Sequence, residues 1–157
     1  VARANRSGSI SVRGLTELRK ELAKLEDGPA LTAQLKDANV KTATFVVNRA
    51  GPLLATYGRQ ANKVSLRANR LASAARVSMT GLFPEGLEFG AHQNVQRRVN
   101  RKGTSYTRAG WNHFRPWKGN GDDAGYVIFP TIRNNTQQII DLYEEEVGRI
   151  TADAFPD

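Results

Sequence analysis

From Leu31 to Tyr57 the residues Leu31, Leu35, Ala38, Thr42, Phe45, Val46, Leu53 and Tyr57 keep to one stripe at the 3.6-residue period. A stripe of that length predicts a helix of roughly seven turns, and a rod that long sets the size of whatever packs on it. Gly51-Pro52 interrupts the pattern. Proline removes one backbone hydrogen bond and crowds the turn before it, so a kink or a break is expected there. Asp27-Gly28-Pro29 reads as the preceding turn, with Pro29 placed to open the helix.

Shorter elements flank the rod. Ile10 and Val12 alternate with polar neighbours as a short strand closed by Gly14, and residues 1–9 before it, polar and basic without a period, read as a flexible arm. Leu15, Leu18, Leu22 and Leu25 recur at helical spacing, giving a helix capped by Thr16 and ending near Glu26. After the rod, Ala74 to Met79 and Leu87 to Phe89 read as two short strands of a hairpin, with turns at Gly81 and at Pro84 to Gly86. Tyr126 to Phe129 is an aromatic and β-branched run too short for a helix, so a buried strand is expected, ended by Pro130. A last helix follows, capped by Thr131, Asn134 or Asn135, with Ile132, Ile139, Leu142, Tyr143, Val147 and Ile150 on one face. Glu144, Glu145 and Glu146 are expected on its outer, solvated side.

Charge is divided along the chain more sharply than the net +8 suggests. Residues 59–118 hold twelve Lys/Arg and two Asp/Glu, whereas residues 119–157 hold two Lys/Arg and eight Asp/Glu. A basic middle and an acidic end suit either contact with nucleic acid or head-to-tail docking between copies. The basic excess is densest between 95 and 118. There Val95, Arg97 and Val99, then Thr104 and Tyr106, predict an extended hairpin arm turning at Gly103. Arg97, Arg98, Arg101, Lys102 and Arg108, with Tyr106 and Trp111 among them, match phosphate neutralisation with base stacking, and equally match a protein interface. Trp111, Phe114 and Trp117 stand three apart, on one side of a helical turn or in a packed loop, and Gly119 to Gly125 reads as loop.

Catalytic patterns find no support. His92 and His113 have no partner at metal-ligand spacing, and the chain of 157 residues contains no cysteine. Asp122-Asp123 sits in a Gly/Asn loop without the alternating ligands and closing Glu of a calcium loop. The glycines between Gly81 and Gly90 are followed by no Lys-Ser/Thr, as a phosphate loop requires. No cofactor is expected. With no run of 18 apolar residues and no signal-peptide pattern, neither membrane insertion nor secretion is indicated. The length suits a single domain, taken as residues 10–152 with the basic arm at about 95–118.

Read in order, the chain carries a GL-x-EL entry (Gly14, Leu15, Glu17, Leu18), a long Ala-rich helix, LEFGA at Leu87 to Ala91, and a basic hairpin. FRPW at Phe114 to Trp117 and YVIFPTIRNN…II.LYEEEV from Tyr126 to Val147 complete the series. Over about residues 10–150 this order resembles the minor tail-component and neck proteins of long-tailed bacteriophages, especially those infecting actinobacteria. The chain departs from that pattern at Ala50-Gly51-Pro52-Leu53-Leu54, where the family's Thr-Gly-x-Leu stretch is missing, and at Ala91, where Thr is commoner.

The resemblance implies an α+β fold in which a small, mostly antiparallel sheet packs on a long kinked helix, with a C-terminal helix and an extended basic arm. It implies a non-enzymatic virion protein that forms a ring of six or twelve copies at the head–tail junction after assembly in the host cytoplasm. Other connector, tail-terminator and tail-tube proteins would be its partners, with non-specific contact to packaged DNA. Arg97, Arg98, Arg101, Lys102, Tyr106, Arg108 and Trp111 on the arm, and Glu144, Glu145 and Glu146 on the last helix, are the expected contact residues. The alternative is a small basic nucleic-acid-binding protein using the 97–108 arm.

Overall fold

A computed structural model describes residues 2–4, 10–12, 14–94, 97–108, 110 and 112–156, with the backbone alone for 2–4, 10–12, 97, 99, 101, 107 and 108. The fold is α+β and is organised by the rod, α2, which spans Gly28–Ala55 with Pro29 in its first turn. At 1.5 Å per residue it is about 42 Å long. It is not broken at Gly51-Pro52: the helix forgoes one ladder bond there and ends a turn later. Leu31, Leu35, Ala38, Thr42, Val46, Ala50 and Leu54 form its buried stripe, so the stripe ends on Leu54 while Leu53 is exposed.

Each half of α2 has its own core. Around the first half, α1 (Leu15–Leu22) and α5 (Thr136–Ala154) bring Leu22 and Ile150 against Leu31, Leu35 and Ala38. The first helix is shorter than its leucine spacing suggests. Gly14, with φ 83, occupies its N-cap position in place of Thr16, and the chain turns after Leu22. Around the second half, Ala50 and Leu54 pack with Val64, Leu87, Phe114 and Val127. Among the described residues, three antiparallel two-stranded ladders complete the fold: β1 (Ala2–Ala4) with β2 (Ile10–Val12), β3 (Val64–Asn69) with β4 (Arg76–Gly81), and β5 (Arg97–Arg101) with β6 (Thr104–Arg108). Positions 1 and 5–9 of the expected N-terminal arm lie outside the described residues.

The β3–β4 hairpin lies along α2, running from Val64 beside Leu54 back to a tip where the Asn39 side-chain amide donates to the Leu71 carbonyl at 2.7 Å. This corrects the expected strand pairing. Residues 76–81 do form a strand, but its partner is Val64–Asn69, in which Val64, Leu66 and Ala68 alternate with Ser65, Arg67 and Asn69. Leu87–Phe89 is not a strand: it is the end of helix α3 (Pro84–Phe89), with proline in its first turn and Glu85 beside it.

Tyr126–Phe129 is not a strand either. Helix α4 spans Ile128–Asn134, with Pro130 inside its first turn, where a missing N–H is tolerated. The last helix then begins at Thr136. Asn135 fills the N-cap position, although its side-chain amide donates back to the Thr131 carbonyl at 2.8 Å.

Candidate assembly interface

The basic arm forms as expected, and its turn explains why. Lys102 and Gly103 both have positive φ (50 and 78), the condition for a two-residue turn whose twist matches the flanking strands. Arg97 pairs with Arg108, Val99 with Tyr106 and Arg101 with Thr104 along the ladder. At the root, the Asn94 backbone N–H donates to Asn112 Oδ1 at 2.8 Å, and Asn112 Nδ2 donates to Asn94 Oδ1 at 3.0 Å. Among the described residues beyond that clasp, the two strands pack mainly on each other. Arg98 donates to Ser105 Oγ at 3.1 Å, and Arg98, Lys102 and Tyr106 are exposed. Arg97, Arg101 and Arg108 sit on the described backbone, whereas Trp111 lies outside the described residues. The aromatic triplet divides: Phe114 is in the core and Trp117 is exposed, stacked on His92 with ring centroids 5.1 Å apart.

The acidic counterpart is narrower than expected. Glu144 and Glu145 are exposed on α5, but Glu146 is buried at 4 % exposure. It follows Tyr143 by three residues and precedes Ile150 by four, which puts it on the inward face at 3.6 residues per turn. Lys41 from α2 and Arg149 from α5 both donate to its carboxylate, and the Lys41 hydrogen bond holds its pKa below the usual glutamate value. Glu146 therefore ties α5 to α2 and is no part of the outer acidic surface.

The segments containing LEFGA, FRPW and YVIFP meet at one place, behind the arm. Gly90, with φ 73, lets the chain pass so close to the Arg115 and Pro116 carbonyls that a side chain there would collide with them. The Ala91 N–H then donates to the Arg115 carbonyl at 2.8 Å and the Lys118 N–H to the Phe89 carbonyl at 2.6 Å. The Arg115 guanidinium lies 4.3 Å from the Tyr57 ring and 5.3 Å from that of Tyr126, while it donates to Thr56 Oγ1 at 2.9 Å. Tyr57 in turn donates to the Leu87 carbonyl at 2.5 Å, and burial pushes its phenol up to about 12.

Glu88 is the centre of this junction. Its Oε2 accepts from the Ile128 N–H at 2.8 Å and its Oε1 from the Phe129 N–H at 3.1 Å. These are the first two donors of α4. The third position is Pro130, which has none, and the Thr131 N–H donates to the Val127 carbonyl at 3.3 Å. The donors from Ile128 to Thr131 are thus accounted for. Sequence reasoning placed Glu88 inside a strand and missed it; the carboxylate between two apolar residues in LEF was the available signal.

No family model, curated protein or solved structure matches the chain. Among the described residues, no group of three or more His, Asp or Glu side chains could hold a metal ion, and no helix is long and apolar enough to cross a membrane.

Proposed function

We propose that the chain is a structural virion protein of a tailed bacteriophage, forming a ring at the head–tail junction by self-assembly and docking, with no chemistry or cofactor of its own. One observation carries the reading: opposite charges are exposed on separate elements of the fold. Arg98 and Lys102 are exposed on the β5–β6 arm, and Glu144 and Glu145 are exposed on α5. In a cyclic ring each subunit meets its neighbours through two different patches, and opposite charge on those patches favours closure and the correct register. Further copies of the chain and the neighbouring connector, tail-terminator and tail-tube proteins are the partners in this reading.

Immunogold electron microscopy with antibodies to this chain, on particles from the source lysate, tests it. Label at the head–tail junction is the expected result; intact, unlabelled particles beside abundant free protein would overturn it. Reversing Arg98 and Lys102 to Glu is expected to abolish ring formation or particle joining without unfolding the body. The exposed Tyr106 between cations also supports a second reading, nucleic-acid binding by the arm. Neutralising about five phosphates would give a log–log salt slope of roughly −4 to −5 on duplex DNA, and a flat salt titration would remove that reading.

A further inference from the structure

Two exposed apolar features lie at opposite ends of α2. At one end Leu82 is 50 % exposed and Phe83 44 % exposed. The Leu82 N–H donates to the Lys63 carbonyl at 2.9 Å, which fixes it beside the 3-10 turn Gly58–Lys63. Phe83 packs edge-on against Phe114, ring centroids 6.2 Å apart, and Phe114 shares a core with Ala50 and Leu54. The backbone of Phe83 is left-handed, with φ 57 and ψ 52, a conformation that a bulky side chain rarely adopts. A glycine there would relieve the strain, yet this chain keeps two large apolar side chains in sequence at the strained tip.

At the other end Phe155 follows α5 and is 46 % exposed. Its neighbour Ala154 packs on the cluster of Leu22, Leu31 and Leu35. Leu31 and Leu54 belong to one helix and are about 35 Å apart along its axis, so the two features cannot meet within a subunit.

Their surroundings differ in charge. Arg59 and Lys63, both exposed, lie on the 3-10 turn that Leu82 joins through Lys63, a turn with no acid of its own; exposed Glu85 is the acid nearest to Leu82 along the chain. Asp153 is exposed beside Phe155, and Glu26 and Asp27 are exposed next to Leu25, which packs on the same cluster as Ala154. Of the cations in that region, Lys24 is paired with Glu21 at 2.7 Å and Arg149 with Glu146, and Arg19 and Lys20 lie on α1.

We infer that these ends meet between copies: Phe155 of one subunit packs on Leu82 and Phe83 of the next, with Asp153 facing Lys63 and Arg59. Because the two patches are different, the contact is head-to-tail and leaves both ends of any dimer open for further subunits. The inference rests on the self-assembly part of the function proposed above, and it specifies which surfaces do it.

The absence of cysteine from the sequence makes the test clean. The double variant Leu82→Cys/Phe155→Cys, concentrated and oxidised with copper–phenanthroline, loses two thiol hydrogens for each disulfide formed. Expected is a ladder of covalent dimers, trimers and larger species on a denaturing gel, while each single variant, whose cysteine faces no other cysteine across the contact, stays monomeric. A double variant that stays monomeric, or single variants that dimerise as fast as the double variant cross-links, would overturn the contact. Circular dichroism of the reduced variants confirms that they are folded. In a thiol-free check, Asp153→Lys is expected to weaken association about tenfold in sedimentation, with recovery when combined with Lys63→Asp; no recovery would again count against the contact. A ladder with unlabelled particles keeps the contact and removes the virion role, and labelled particles without a ladder do the reverse.

Discussion

The seam between α2 and α5 and the junction of α3 with α4 each bury a glutamate to 4 % exposure, and they hold it by opposite means. Glu146 meets two side-chain cations whose own ends reach solvent: Lys41 is 56 % exposed and Arg149 67 %. Glu88 makes no ion pair among the described residues and is solvated by backbone N–H groups instead. A cation on a flexible stem can return to water if its partner is lost. A backbone N–H fixed in a buried helix turn cannot. Equal burial should therefore produce unequal dependence, with Glu88 the more costly to remove.

The largest expected effect follows directly. Glu88→Ala leaves the Ile128 and Phe129 N–H groups without acceptors and is expected to destabilise the fold by about 3 kcal/mol. For a domain of this size that is a fall in Tm of roughly 10 °C. Glu88→Gln keeps one acceptor oxygen and should lose about half as much. Chemical denaturation of the three proteins measures it. If Glu88→Ala cost no more than Glu146→Ala, the contrast between backbone and side-chain solvation would be wrong.

The same contrast separates what the sequence made legible from what it did not. The seam is helix on helix, and a 3.6-residue period reports it: the rod, the last helix and residues such as Leu35, Ile139 and Ile150 follow from spacing alone. Glu146 was within reach of the same arithmetic, since it shares its face with Tyr143 and Ile150. A run of three glutamates reads as one solvated block, which hides the member that turns inward.

At the junction, periodicity has little to act on. Leu87–Phe89 and Tyr126–Phe129 are too short to show a period, and both look like strands because they are apolar and aromatic. Their conformation, helical at Leu87–Phe89 and from Ile128 on, depends on non-local contacts: a carboxylate from α3 capping α4, and Gly90 admitting the 115–118 segment. The arm was legible for a local reason. A Lys-Gly turn between alternating residues contains its own instructions.

An intermediate effect is expected at the seam, and it depends on pH. Glu146→Ala should cost about 1 kcal/mol near neutrality, because solvent screens both cations. The folded-state pKa of Glu146 lies below the ordinary glutamate value, with the Lys41 hydrogen bond the largest cause. Its stabilisation is therefore fully present above that value and is lost as pH falls through the lowered folded pKa. Thermal melts between pH 6 and pH 3 should show the wild type losing its advantage over Glu146→Gln as the acid limit is approached. A gap that stays constant down to pH 3 would mean the carboxylate's charge contributes nothing to the seam.

The smallest effect sharpens the comparison from its other side. Arg70 donates to Asp37 at 2.7 Å, joining the tip of the β3–β4 hairpin to α2 much as Lys41 joins α2 to α5. The hydrogen bond from Arg70 lowers the Asp37 pKa, as the one from Lys41 does for Glu146. The difference is exposure: Asp37 is 63 % exposed and Arg70 52 %. Water can replace either partner, so Asp37→Asn should leave the melting temperature and its salt dependence unchanged within error. The hairpin tip would still be held by Asn39, which is fully buried and donates to the Leu71 carbonyl. Hydrogen exchange at residues 68–77 distinguishes the two attachments. Unchanged protection in Asp37→Asn, with loss of protection in Asn39→Ala, would show that a buried side-chain donor on a backbone carbonyl, and not an ion pair as such, fastens the hairpin to α2.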